Sequence, residues 1–456
     1  MTATRTDARR LPAPSRLYRW TVLVFISLAM FGNYYVYDSM GPIFDLLSSQ
    51  LDFTDQQKGL LYSVYSLAAV LVLLIGGYII DRWGTKKSIT LFAVICLVAA
   101  FVTASSEVFA IMATGRFLLG VGAEPLIVAV TTALAKWFKG KELSFAFGIN
   151  LTIARLGSAS ADWSPTWARP LYDNWQDPLW LATAVAGISV TGAILYWIME
   201  HRAENRYSLG EAAETEKLEK KGLYSFSASY WYIVALCVVF YSTVFPFRAF
   251  AIDYFQQAHG LQREAAGMLN SMLPIAAMIA TPLFGLMVDR VGKRSFFMGV
   301  GSLVLLPLFL IVTYAPAGPL IQLGAAQIPL TLLLVMIMLG MAFSLIPAVM
   351  WPSVAYIVEQ NRLGTGYALM TLCQQVGMAI IPWLIGFTND WFRASPENPA
   401  GYAAGMWIFT ALASLGLFFS VMLWRTERGP GSHGLETITT KTGVPEVTGF
   451  EEQGRM

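Results

Sequence analysis

Charge is what this chain has least of. Only 13% of its 456 residues are Asp, Glu, Lys or Arg, while 56% are apolar. Soluble domains carry roughly 25% charged residues, so an ordinary water-facing globule is excluded. Cysteine is as scarce. Cys96, Cys237 and Cys373 lie far apart inside apolar runs, which leaves no disulfide framework and no thiolate cluster, only core or lipid-facing thiols. The three histidines, His201, His259 and His433, all fall in loops or tails, so imidazole is missing where a buried proton carrier would need it. There is no nucleophile elbow, no phosphate loop outside the helices and no metal-ligand cluster. An enzyme, a cofactor, a bound metal and a nucleic-acid partner are therefore not expected.

What is present is apolar length. Twelve runs near or above the ~20 residues that span a bilayer cover residues 18–46, 57–80, 88–106, 109–135, 143–166, 178–200, 229–256, 265–288, 295–315, 326–357, 364–389 and 401–425; they are called spans 1 to 12. Barrel strands would be shorter and alternating. The basic start followed by span 1 imitates a signal peptide, but the run is too long and no small-residue cleavage site closes it, so an uncleaved first helix is expected. Lys and Arg concentrate on one side: Arg16, Arg19, Arg82, Lys86, Lys87, Lys136 and Arg290 against Lys58, Arg169, Arg263 and Arg393 on the other. That asymmetry predicts cytoplasmic termini.

Two stretches are copies. "GGYIIDRWGTKKS" at 76–88 and "FGLMVDRVGKRSF" at 284–296 pair Gly77 with Gly285, Asp81 with Asp289, Arg82 with Arg290 and Gly84 with Gly292, all 208 residues apart. Each copy closes the second span of a six-span half. A chain of this order with Gly-x-x-x-Asp-Arg-x-Gly-x-Lys-Lys after its second span resembles the major facilitator superfamily. The resemblance implies an all-α membrane fold of twelve helices in two pseudo-symmetric six-helix bundles. It also implies that Asp81, Arg82, Asp289 and Arg290 belong to a network that gates the cytoplasmic side; simple loop anchoring is the alternative.

Ionised groups deep in a membrane cost roughly 2.5–3.5 kcal/mol each on the insertion scale, so each needs a reason. In "GVGAEPLIVAV", at 120–130, Glu124 lies roughly 22 Å from the outer end of span 4, and Arg155 roughly 18 Å from the inner end of span 5, at ~1.5 Å per residue. Both fall near the midplane on antiparallel neighbours. They can neutralise each other when empty and separate to hold a zwitterion; a permanent structural bridge is the alternative. If transport is proton-coupled, Glu124 is the first candidate carrier. Arg116 is open between coupling, substrate contact and pairing with Asp38. In span 7 Pro246 frees a backbone carbonyl next to Arg248, a second candidate for binding a carboxylate, with interfacial snorkelling as its alternative. Asp253 reads as interfacial and of no special role. Tyr37 and Trp351 are candidate walls for a side chain, and Gln374 and Asp38 candidate polar contacts with the substrate.

The run "GRFLLGVGAEPLIVAVTTALAKWFKGKELSFAFGINLTIARLGS" at 115–158 is more specific. With "NYYVYD" at 33–38, "VFPF" at 244–247, "MWPSVAYIV" at 350–358 and "LGTGYALM" at 363–370, it resembles the branch of major facilitator superfamily domain-containing protein one, whose animal member is a lysosomal dipeptide uniporter. The resemblance covers nearly all of the helical region. It implies dipeptide movement by alternating access, the peptide termini being held by Glu124 and Arg155. Arg248 stands where that branch has an apolar residue, and an added cation disfavours cationic dipeptides.

The expected organisation is an N-tail (1–17), a first bundle (18–200), a charged linker (201–228), a second bundle (229–426) and a disordered C-tail (427–456). Its partners are a small-molecule substrate and the lipid bilayer, and a monomer is expected. With no acidic dileucine signal in either tail, the plasma membrane is the expected location, the inner membrane if the chain is bacterial. A proton-coupled carrier of organic anions or drugs, with Arg155 and Arg248 on the anion, is the alternative.

Overall fold

A chain in hydrocarbon must satisfy its backbone internally, and helices do so within one segment. The computed structural model describes residues 12–138, 142–207, 209, 226–324, 326–359, 362–430 and 432–439. Its helices are α1 (Arg16–Asp38), α2 (Phe44–Leu51), α3 (Asp55–Trp83), α4 (Thr85–Ala104), α5 (Phe109–Phe138), α6 (Leu143–Asp162), α7 (Ser164–Trp167), α8 (Asp177–Glu204), α9 (Ala228–His259), α10 (Arg263–Val291), α11 (Arg294–Tyr314), α12 (Leu330–Ile357), α13 (Leu363–Trp391) and α14 (Tyr402–Thr426). Twelve of them have 20 residues or more and match spans 1 to 12 in order. Among the described residues ten helices are long and apolar enough to cross a membrane, eleven if Asp55–Leu73 and Ile75–Trp83 count as one bent span. The remaining long helix, α6, is diluted by Asn150, Arg155 and Asp162. Most of the expected linker (208 and 210–225), the start of the N-tail and residues 440–456 lie outside the described residues.

Three spans show local detail. Span 1 is not one rod to residue 46: α1 stops at Asp38, Gly41–Ile43 forms a 3-10 turn with Pro42 inside it, and α2 restarts at Phe44. Proline has no N–H to extend α1, which is why the turn falls there. Span 10 begins later than its apolar run, since Leu320–Leu323 and Ala326–Pro329 pair as an antiparallel hairpin before α12. Pro246 leaves α9 continuous from Ala228 to His259.

By their contacts the described helices fall into two compact units. One holds residues up to 37, 71–158 and 176–215; the other holds 38–70, 159–175 and everything from 216. In the first, α4 packs on α5 and α8. Gly122 of α5 faces α4, where an added Cβ would come within 2.9 Å of Cys96 Sγ; small residues permit such close helix contact without a hydrophobic driving force. In the second, α10 packs on α12, α11 on α14, and α9 on α13 and α14. Ile279, Leu283 and Leu286, three and four residues apart on α10, are more than half exposed, the stripe expected of a face turned to lipid.

Both repeat copies end alike. Gly84 and Gly292 follow α3 and α10 with φ of +76° and +70°, a conformation that side chains resist. The segment after α14, expected to be disordered, is packed as far as it is described: Glu427, Leu435 and Ile438 are buried.

Candidate functional site

Two of the charges singled out, Asp38 and Arg248, lie in the second unit within a layer of buried charge. Arg248 of α9 is 6% exposed and stands between two carboxylates. Its Nη2 donates to Asp162 Oδ2 at 2.8 Å, and its Nη1 lies 3.4 Å from Asp38 Oδ1. Asn270 of α10 donates to Asp162 Oδ1 at 2.9 Å and to the Arg248 carbonyl at 3.2 Å. One helical turn and a half along α9, Asp253 meets Lys58 at 2.6 Å, and the same ammonium lies 2.6 Å from Asp55. Lys58 is 2% exposed and Asp253 1%. Each triad sets one cation between two acids, the arrangement that makes removal of the cation costly.

Local features hold this layer in place. Asp390 of α13 accepts the Asp55 and Gln56 N–H groups at 3.0 and 2.8 Å, a carboxylate on the N-terminus of α3. Asn389 donates to Asp55 Oδ2 at 2.9 Å. A Cβ on Gly59 would overlap the Pro382 carbonyl oxygen, and one on Gly386 that of Asp55, so these two glycines let α3 and α13 touch backbone to backbone. Arg263 pairs with Asp45 at 2.5 Å and donates to the Tyr172 carbonyl at 2.9 Å. A cavity beside the Lys58 triad is lined by Asp253, Asn389, Tyr254 and Tyr402 among apolar side chains.

The layer revises several sequence readings. Arg248 was a candidate for the substrate carboxylate, and Asp38 for substrate contact or for pairing with Arg116; here they face each other. Arg116 is 1% exposed and donates to the carbonyls of Val36 and Tyr37, each at 3.2 Å, with its guanidinium 5.4 Å from the Tyr37 ring. It thus caps the C-terminal turn of α1, where a cation suits the exposed carbonyls, and it occupies Tyr37. Asp253, judged to have no special role, is among the most buried acids. Lys58, Asp55 and Asp162 were missed because each sits at a helix end, where a charge ordinarily finds water; only their number near one level was a signal.

Glu124 and Arg155, expected to face each other, both lie in the first unit. Arg155 on α6 is 9% exposed, and Glu124 on α5, immediately before Pro125, is half-buried. On α12 Trp351 is half-buried, donates from Nε1 to Tyr241 Oη at 3.0 Å and stacks on Tyr367 at 5.9 Å. Gln374 of α13 is buried, its Oε1 3.5 Å from Cys237 Sγ.

The charges of the repeat lie differently. Asp81, Arg82 and Arg290 are exposed, and Asp289 is 51% exposed and pairs with Arg294 at 3.0 Å. Beside the first copy, Glu200 of α8 is 1% exposed and accepts from Thr85 Oγ1 at 2.9 Å and Lys136 Nζ at 2.8 Å, while Lys86 pairs with Glu204.

The comparisons agree with this architecture. The Major Facilitator Superfamily model matches residues 26–250 and 233–446. The human lysosomal dipeptide transporter MFSD1 is 29% identical over 440 residues, covering 93% of this chain and 90% of that protein. A probable sulfoacetate transporter of Cupriavidus necator is 21% identical over 264 residues, 55% of this chain and 60% of its own length. Among solved structures, a bacterial homologue of the human lysosomal transporter Spinster superposes with a TM-score of 0.71 at 14% identity, covering 91% of this chain and 98% of that one.

Proposed function

The chain belongs to the major facilitator superfamily, a family of membrane carriers and not of enzymes, and on that footing we propose that it moves dipeptides by alternating access. The observation that carries this reading is the 29% identity to a lysosomal dipeptide transporter over 93% of the chain. Glu124 holds the peptide amine and Arg155 the carboxylate. A charged pair buried at mid-helix contributes little net stability, whereas two poles of opposite sign match a zwitterion.

Both termini lie in the cytoplasm, and the membrane is the plasma membrane. The layer of Arg248 and Lys58 then lies at the outer side and is the outer gate, since opening there requires Asp38, Asp162 and Asp253 to part from their cations. Asp81, Arg82, Asp289 and Arg290 serve the cytoplasmic gate. The chain acts as a monomer.

The test is uptake of a labelled dipeptide into proteoliposomes. Glu124→Gln and Arg155→Gln each lower uptake by about tenfold or more, equivalent to ~1.4 kcal/mol or more of lost binding, and N-acetylated peptides are not carried. Equal transport of acetylated peptides removes the amine assignment. Competition by monocarboxylates but not by dipeptides replaces the reading with an organic-anion carrier.

A further inference from the structure

Among the described residues, the second repeat copy is held by the segment that follows α14. Beside the first copy, Thr85 at the start of α4 is bonded by Glu200 from within the bundle. At the start of α11 the corresponding bonds come from the segment that follows α14. The Glu436 carbonyl accepts the Lys293 N–H at 3.1 Å, the Leu435 carbonyl accepts the Arg294 N–H at 3.3 Å, and Glu436 Oε1 accepts the Ser295 N–H at 3.1 Å. These are the N–H groups that a helix start leaves without partners of its own. Leu435 is 0% and Ile438 4% exposed.

The segment is anchored at its root. The buried Glu427 carboxylate accepts from Ser229 Oγ at 2.5 Å and the His433 N–H at 2.9 Å, and its Oε1 is paired with His433 Nδ1 at 2.9 Å. Burial alone would raise its pKa, but the bonds from His433 and Ser229 outweigh burial and hold it below the usual carboxylate value. The motif itself is shaped to receive the segment. A Cβ on Gly292 would approach the Glu436 and Ile438 carbonyl oxygens to 3.0 and 3.3 Å. Lys293 has φ of +51°, a conformation that persists only where its surroundings over-determine it. Next to it Arg294, 2% exposed, reaches Asp289 and lies 4.8 Å from the Tyr356 ring centroid.

We propose that the described segment after α14, residues 427–430 and 432–439, is the positioning element of the second gating copy, holding the start of α11 so that Arg294 stays on Asp289. The proposal rests on the gating role given to these charges above. A loosened second copy holds the cytoplasmic side shut less firmly, so the outward-open state is populated less.

Two cysteine reporters test it in purified full-length protein, each read with a maleimide above the background of the native cysteines. Ser295→Cys, 1% exposed, reports on the docked segment. Ser63→Cys, 5% exposed with its native hydroxyl bonded by the Trp383 N–H, reports on opening of the outer gate. Leu435→Asp with Ile438→Asp, or truncation after Arg428, speeds labelling of Ser295→Cys by ~10-fold or more, the scale of a local opening. It slows labelling of Ser63→Cys by ~3-fold, as Asp289→Asn alone does, and combining the two changes adds nothing further. Truncation after Thr439 alters neither rate. The milder Glu436→Ala moves both rates the same way, and Glu436→Gln, which keeps the acceptor oxygen, restores them.

Unchanged labelling of Ser295→Cys shows that the segment does not dock and overturns the proposal. Fast labelling there with an unchanged or additive effect at Ser63→Cys also overturns it, leaving a structural cap. Failure of the dipeptide reading shows separately, as wild-type protein without dipeptide uptake, and does not touch these rates.

Discussion

The charge layer at the ends of α1, α3 and α6 and the two repeat copies are built from the same residue types, Asp beside Arg or Lys, and hold them in opposite states. In the layer Asp38, Asp162, Asp253, Lys58 and Arg248 are each at most 7% exposed. In the copies Asp81, Arg82 and Arg290 are exposed. The recurring pattern thus marks the accessible charges, and the residues without a pattern are the buried ones. The difference follows from partners. A buried cation needs acids from several segments at once, and α1, α3, α6 and α9 together supply them; a charge in a tight helix connection has water at hand.

The sharpest way to break the comparison is to remove a cation from the layer. Arg248→Met leaves Asp38 and Asp162 buried without it and costs about 3–5 kcal/mol, read as a lowered thermal midpoint of the purified carrier. Asp162→Asn added to Arg248→Met recovers part of that loss. A cost below ~1 kcal/mol would falsify the view that the layer is dry. A smaller effect is expected from Glu200→Gln, which keeps the shape but removes the charge received by Lys136 and Thr85, at about 1–3 kcal/mol for charged hydrogen bonds. If Glu200→Gln matches Arg248→Met, the two ends of the first-copy helices are held as tightly as the layer and the contrast dissolves. Asp81→Asn is expected to change stability least, by no more than ~1 kcal/mol as for exposed pairs, while slowing transport; a large drop in the thermal midpoint would instead make the motif structural.

Much of the fold was legible. Apolar length placed all twelve long helices in order, because the bilayer sets both the minimum length and the ban on unpaired backbone. The repeat was legible too, and its second glycines, Gly84 and Gly292, proved to be the positive-φ ends of α3 and α10. Boundaries slipped where proline decided them, at Pro42 and at the hairpin before α12. Of the candidate site, Glu124 and Arg155 stood out because a charge inside an apolar run needs a cause. Arg248, Asp38 and Arg116 stood out as well, but the carbonyls that Arg116 bonds leave no mark in a sequence, and Asp162 and Lys58 sit where a lone charge would be unremarkable.

The sequence by itself therefore determined membrane class, the order of the long helices, the duplication and the list of costly charges, since each depends on local composition measured against hydrocarbon. Only the tertiary structure decided which acid faces which cation, and that Glu436 of the tail caps α11 while Glu200 serves the first copy. Those choices depend on distances between segments up to 218 residues apart, such as Asp45 and Arg263, and a Coulomb partner is chosen by proximity in space, which no local pattern encodes.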